Sequence, residues 1–190
     1  MSATSTSTTG TTATAPGTLP TRQSARTAPP ALSTPTRLWM WGWILSFLIH
    51  DGEEALYIVR NGGLKEFGVF QTTAQCLAGI LFELMLGTLA VLAATRPTRA
   101  PWAMPLFGLL MWGWTLHGVM HLGQAISGHG YTFGSVTAGP VVVAYGALML
   151  IRLYRDRLMS LRQLPLAVLG GAVLGALFVY SAHQYGSILG

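Results

Sequence analysis

The sequence predicts an all-α protein: a polytopic bundle of about five membrane-spanning helices preceded by a disordered tail. Three observations carry this expectation. Hydrophobic residues make up 51% of the 190 and charged residues only 9%, against about a quarter charged in ordinary soluble domains. Five apolar stretches are long enough to cross a bilayer, which takes about 20 residues. Arginine gathers in one set of the segments between them, as membrane topology requires.

Residues 1–36 are almost entirely Ser, Thr, Ala, Pro and Gly with Arg22 and Arg26. Such a segment cannot bury enough apolar surface to offset its ordering entropy, so it is read as a disordered cytoplasmic tail. A signal peptide is not expected, because the apolar stretch that follows carries His50, Glu53 and Glu54 and no small-x-small cleavage site comes after it. Residues 37–190 form the transmembrane domain. Its expected spans are Leu38–Val59, Phe67–Ala94, Trp102–Ile126, Thr132–Ile151 with Pro140 inside it, and Leu164–His183. Backbone polar groups must be satisfied within the chain in lipid, so the spans are helical.

Loop charge orients the bundle. Arg22, Arg26, Arg37, Arg96, Arg99, Arg152, Arg155, Arg157 and Arg162 fall on the tail side, and only Arg60 and Lys65 on the other. The positive-inside rule places the N-terminus in the cytoplasm and the C-terminus outside, in the plasma (inner) membrane. Trp39, Trp41, Trp43 and Trp102 lie near cytoplasmic helix ends, where aromatic belts form. The net charge of +5 is spread over the edges of apolar runs and forms no basic stripe with interleaved aromatics, so no nucleic-acid partner is expected. The expected partners are the lipid bilayer and a lipophilic small molecule. The single Cys76 sits in an apolar run as a small hydrophobic side chain and offers neither a disulfide framework nor a cysteine metal site.

Spans one and three share a pattern. Trp41-Gly42-Trp43, six residues, then His50-Asp51-Gly52-Glu53 matches Trp112-Gly113-Trp114, six residues, then His121-Leu122-Gly123-Gln124. Spans two and four both begin with Phe-Gly, at Phe67-Gly68 and Phe133-Gly134. Either this is coincidence among common membrane residues, or a helical hairpin has been duplicated about an axis along the membrane normal, with the fifth helix added. Under duplication His50 and His121 are partners at one depth.

Four of the six acidic residues, Asp51, Glu53, Glu54 and Glu83, lie in or beside these spans. An ionisable group there costs roughly 2.5–3.5 kcal/mol on insertion scales and usually faces a cavity or a partner. Residues three and four apart share a helix face, so His50, Glu53 and Glu54 point together while Asp51 points about 100° away. His117 and His121 share a face in the same way, with Gln124 one turn further on. At about 1.5 Å per residue, all of these and Glu83 fall between the midplane and the outer half of the bilayer, so one pocket is possible.

Two chemistries suit such a pocket. His50, Glu53, Glu54, His117 and His121 would suit a divalent metal, iron or zinc, since imidazole and mixed imidazole–carboxylate sets favour those ions. Without metal, His50, Glu53, Glu54, His121 and Glu83 would form an acid–base site, with carboxylate and imidazole passing protons. Gln124, Tyr131, Gln75 and Trp114 are the candidate substrate contacts. The structural alternative is a network of interhelical hydrogen bonds joining the first three helices. His129 and His183 are expected at the outer surface and Gly170, Gly171 and Gly175 at a close helix contact, while Arg152 to Arg157 form a topology-setting cluster able also to touch anionic lipid.

Two blocks of sequence carry a resemblance. The first is His50-Asp51-Gly52-Glu53-Glu54; the second is His117-Gly118-Val119-Met120-His121-Leu122-Gly123-Gln124-Ala125, followed by Tyr131-Thr132-Phe133-Gly134 and Thr137. Over residues 38–151 the chain resembles the HXXEE-motif family of small membrane proteins, in which a His-x-x-Gln helix leads into a Tyr-x-Pro-Gly turn and a Thr. Phe133 stands where that family has Pro, and His117 where a small amide side chain is common, so the resemblance does not itself assign His117 to the site. It implies an architecture and site positions rather than a reaction. The function expected is that of a membrane-embedded enzyme isomerising, cyclising or oxidising a lipophilic substrate such as an isoprenoid, polyketide or acyl chain. The site is similar to those of membrane sterol isomerases and related terpene cyclases by analogy only. The alternatives are a proton-coupled membrane transport protein and a non-catalytic membrane partner subunit.

Overall fold

The computed structural model describes residues 31–61, 72–160, 165, 168–173 and 180. It is helical throughout, with no strand among the described residues. Helix α1 spans Thr34–Asn61, α2 Thr73–Thr95 and α3 Ala103–Ser127. Helix α4 covers Ser135–Arg155, widening into a π-helical stretch over Ala138–Val143 before continuing as α-helix.

Each start has a local cause. The Ser33 hydroxyl accepts from the Thr36 amide at 3.2 Å, and Pro35 occupies the first turn, where its missing N–H costs nothing. Residues 34–36, expected in the tail, therefore open α1; residues 1–30 lie outside the described residues. The Thr72 hydroxyl accepts from the Gln75 amide while the Gln75 side chain accepts from the Thr72 amide, a reciprocal capping box. Helix α2 thus begins at Thr73 rather than Phe67, the intervening residues lying outside the described ones. Thr132–Gly134 turn instead of starting a helix, because Gly134 takes a left-handed φ of 73°. In α4, Pro140 has no N–H to give and its ring crowds the preceding turn, a conflict that the π-helical widening relieves.

Contacts run from α1 to α2, α2 to α3, α3 to α4 and α4 back to α1, closing a ring of four helices. The core inside is aromatic and sulfur-rich, with Met40, Trp43, Phe47, Phe107, Met111 and Met149 all fully buried. Glycines set the helix spacing. A Cβ on Gly87 would lie 1.9 Å from Trp43 Cη2, and one on Gly118 would lie 2.8 Å from Val142 Cγ1, so α1 meets α2, and α3 meets α4, at distances only glycine permits. Residues 168–173 are helical, and Gly170 and Gly171 approach Leu109 and Gly113 of α3 as expected for a small-residue contact. Most of the expected fifth helix, with Gly175 and His183, lies outside the described residues.

At the end of the bundle where α1 begins and α4 ends, Thr36 donates to Asp156 at 2.7 Å and accepts from Arg152 at 2.9 Å. Midway along, the Trp114 indole donates to Ser46 at 3.1 Å and Ser46 donates to the Val141 carbonyl at 3.2 Å, so one hydroxyl ties α3, α1 and the π-helical stretch together.

The outer surface is apolar: Leu45, Leu48 and Leu56 on α1, Leu81 and Leu89 on α2, Val119 and Met120 on α3, and Leu148 and Ile151 on α4 are all exposed. Two helices, Thr73–Thr95 and Ser135–Arg155, are long and apolar enough to cross a membrane by length and composition. Helices α1 and α3 are 28 and 25 residues long, but Asp51, Glu53 and Glu54 in one and His117, His121 and Gln124 in the other lower their apolarity.

Candidate metal centre

Four side chains converge inside the ring of helices. His50 and Glu54 come from successive turns of α1, and His117 and His121 from successive turns of α3; each pair is four residues apart and so shares a face. All four ligand atoms lie within 4.8 Å of one another. Glu54 Oε1 is 2.8 Å from His121 Nε2, 3.4 Å from His50 Nε2 and 3.6 Å from His117 Nε2. His117 Nε2 is itself 3.1 Å from both His50 Nε2 and His121 Nε2.

Hydrogen bonding serves only part of this convergence. An imidazole nitrogen carries either one proton or one lone pair, directed along a single axis in the ring plane. His117 Nε2 faces two nitrogens and one oxygen, so it can satisfy one of these contacts at most. Glu54 Oε1 is buried without a hydrogen-bond partner of good geometry, although three imidazole nitrogens surround it. Unsatisfied polar atoms in a buried site cost about 1–3 kcal/mol each. A cation at the centre resolves all of these contacts at once. Ligand bonds of about 2.0–2.1 Å at a tetrahedral ion place the donors about 3.3–3.4 Å apart; five of the six separations run from 2.8 to 3.6 Å around that spacing, and the whole set lies within 4.8 Å.

A second layer of contacts holds these four side chains. Glu53, expected among them, is placed differently: its side chain turns to the start of α4, where Oε2 accepts from the Thr137 amide at 2.9 Å and the Thr137 hydroxyl at 2.7 Å, and Oε1 accepts from the Val136 amide at 3.3 Å. The first turn of a helix offers free amides and a positive dipole end, which suits a carboxylate. His50 Nδ1 lies 2.7 Å from the same Thr137 hydroxyl. Trp114 stacks on His117 with centroids 5.7 Å apart and meets His50 edge-on at 5.4 Å, while Phe133 meets His121 edge-on at 4.9 Å. Trp114, a candidate substrate contact, is only 2% exposed and therefore backs the ligands.

Backbone closes the cluster from above. Gly134 sits so near that a Cβ there would lie 2.8 Å from Glu54 Oε1, 2.9 Å from His50 Cε1 and 3.2 Å from His121 Cε1. His50 and His121 are fully buried, whereas the His117 side chain is 28% exposed, so the cluster opens at His117.

The other candidates take different places. Glu83 of α2 interacts electrostatically with His117 and Glu54 without joining the four. Asp51 is buried on the side away from His50, close enough to Glu54 and Glu83 to interact with both, and its Oδ2 has no hydrogen-bond partner. Gln75 caps α2. Gln124 is half-buried, its Oε1 unpartnered. Tyr131 is 56% exposed on the α3–α4 turn and hydrogen-bonds Glu53; partial burial first, and then that bond, push its phenol above the ordinary range. His129 is exposed, with a φ of 54°. The roles of Gly134, Thr137 and Ser46 were not assigned from sequence. Thr137 and Gly134 stand in the second motif block, but only the fold brings them to His50.

The repeat has a geometric counterpart. Its matched positions meet across the bundle, Trp43 with Trp114 at 6.0 Å between ring centroids and His50 with His121 at 5.2 Å.

No curated protein and no solved structure matches the chain. The model of a family described as "protein of unknown function with HXXEE motif" matches residues 41–149, more than half of the sequence, with His50, Glu53 and Glu54 supplying the motif letters. The chain belongs to the HXXEE family.

Proposed function

We propose that the chain is a polytopic membrane metalloenzyme in which His50, Glu54, His117 and His121 hold one zinc or iron(II) ion for chemistry on a lipophilic substrate. The observation that carries this reading is the convergence of three Nε2 atoms and a carboxylate oxygen near metal-ligand spacing, with more contacts at His117 Nε2 than one proton or lone pair can serve. Imidazole ligands suit zinc and iron, and a single carboxylate lowers the net charge the site leaves in an apolar surrounding. A bound divalent ion supplies Lewis-acid polarisation of a substrate oxygen or an activated water.

Five spans with the N-terminus in the cytoplasm remain the reading that the arginine bias favours, now supported by the apolar outer faces of α1 and α3. A hairpin duplicated from α1–α2 to α3–α4 accounts for the facing Trp and His pairs. The substrate class follows from access: the open edge at His117 lies in a bundle whose exterior is apolar, so the molecule that reaches it must itself partition into hydrocarbon. A complete set of four protein donors also suits a structural ion, and this is the second reading.

The test is elemental analysis of protein purified from membranes in mild detergent. About one zinc or iron per chain is expected, falling to background in His121→Ala; absence of both metals from the wild-type protein, even after reloading, overturns the proposal. Incubation of loaded wild type and His121→Ala with native membrane lipid extract separates the two readings. An enzyme consumes a species that the variant leaves, whereas a structural ion changes only the melting temperature.

A further inference from the structure

The motif contains two adjacent glutamates, and the structure gives them different environments. Glu54 enters the cluster; Glu53 leaves it for three donors at the start of α4. A carboxylate accepting three bonds has no proton to give, so the proton between Thr137 Oγ1 and Glu53 Oε2 belongs to the threonine. With that hydroxyl proton committed, Thr137 Oγ1 offers only lone pairs to His50 Nδ1 at 2.7 Å, and the imidazole must be the donor. The tautomer follows. Nδ1 carries the proton, and Nε2 presents its lone pair to the centre of the cluster. His121 differs: its Nδ1 is buried without a hydrogen-bond partner, and Gln124 replaces Glu53 at the matching position.

We propose that Glu53 is a positioning residue for the metal centre, acting through the Thr137 hydroxyl to hold His50 in the ligating tautomer and raise its donor strength. This rests on the metal reading above. A metal-bound imidazole whose other nitrogen donates toward a carboxylate is fixed in orientation and made more basic, and losing such a partner commonly weakens metal affinity about 10–100-fold. The π-helical stretch begins at Ala138, directly after Thr137.

The experiment uses the full chain in detergent, stripped of metal and titrated with Co2+ against a competing chelator, with the ligand-field absorption recorded. Glu53→Gln keeps an acceptor for Thr137 but removes the charge; Thr137→Val removes the bridge at constant shape; Thr137→Ser restores it. The expected result is Co2+ affinity about 10–100-fold weaker with a shifted absorption band in Glu53→Gln and Thr137→Val. Thr137→Ser should lie within about threefold of wild type. Metal-free melting curves of the same proteins detect a merely structural role, which would lower the melting temperature and leave Co2+ affinity and spectrum unchanged. That outcome overturns the inference while the metal reading stands. A wild-type protein that binds no Co2+ overturns the metal reading itself. Should Thr137→Val fail to fold, the comparison of Glu53→Gln with wild type decides the matter alone.

Discussion

Adding a single methyl group at Gly134 probes whether the backbone over the cluster is part of the centre. Gly134 holds a φ of 73°, where a side chain costs about 1–2 kcal/mol. Its Cβ would also lie 2.8 Å from Glu54 Oε1 and 2.9 Å from His50 Cε1, closer than ordinary contacts of about 3.5 Å. Relief requires a movement of about 0.5 Å by the turn or by two of the four ligands, which is about the whole tolerance of a preorganised site. Gly134→Ala is therefore expected to weaken metal binding at least tenfold, equivalent to about 1.4 kcal/mol, and to lower the melting temperature of the metal-free protein by several degrees. Gly123→Ala is the control. A Cβ there meets nothing within 4 Å on an exposed helical position, and replacing glycine in a helix stabilises by about 0.5–1 kcal/mol. Chelator-competition titration and thermal unfolding of both variants provide the assay. Wild-type affinity and stability in Gly134→Ala would refute the placement of this turn against the ligands.

Further predictions follow from the same geometry. Glu54→Gln puts a neutral amide among three imidazoles and should reduce metal content below a tenth of wild type, read by elemental analysis. Ser46→Ala leaves the Trp114 indole and the Val141 carbonyl without their shared partner, a loss of about 1–3 kcal/mol seen in thermal unfolding. Gly87→Ala drives a methyl group into the Trp43 ring, where the Cβ would lie within 2.5 Å of three ring carbons; overpacking of this kind costs about 1–3 kcal/mol or more, and hydrogen exchange should show α2 loosened. Acidification should release the metal, because the imidazoles bind only when unprotonated and protons compete at low pH; metal retention measured by equilibrium dialysis from pH 8 to pH 5 should fall monotonically.

Spacing alone made much of the site legible. Residues four apart share a helix face, so His50 pairs with Glu54 and His117 with His121, and a duplicated hairpin, one of two readings of the shared pattern, makes His121 the partner of His50. The wheel could not separate Glu53 from Glu54. Both stand near His50, and their fates diverge because the start of α4 offers Glu53 two amides and a hydroxyl, an environment supplied by residues more than eighty positions away. Gly134 was visible as half of a Phe-Gly pair, but its contact with three ligands depends on how the turn folds back. Helix starts shifted for local reasons: Ser33 captures the Thr36 amide and opens α1 inside a segment of disorder-promoting composition, and Thr72 with Gln75 makes Gln75 a cap. The composition of α1 and α3 shows the same tension. The residues that build the site are the ones that lower the apolarity by which a membrane helix is recognised.

The most direct test of the proposed metal centre is X-ray absorption spectroscopy at the metal edge of the purified protein. Three imidazoles and one carboxylate predict four nitrogen or oxygen scatterers at about 2.0–2.1 Å, with the outer-shell signal of three rings. A spectrum with sulfur ligands, or with no imidazole signal, would contradict the assignment of His50, Glu54, His117 and His121 as the site.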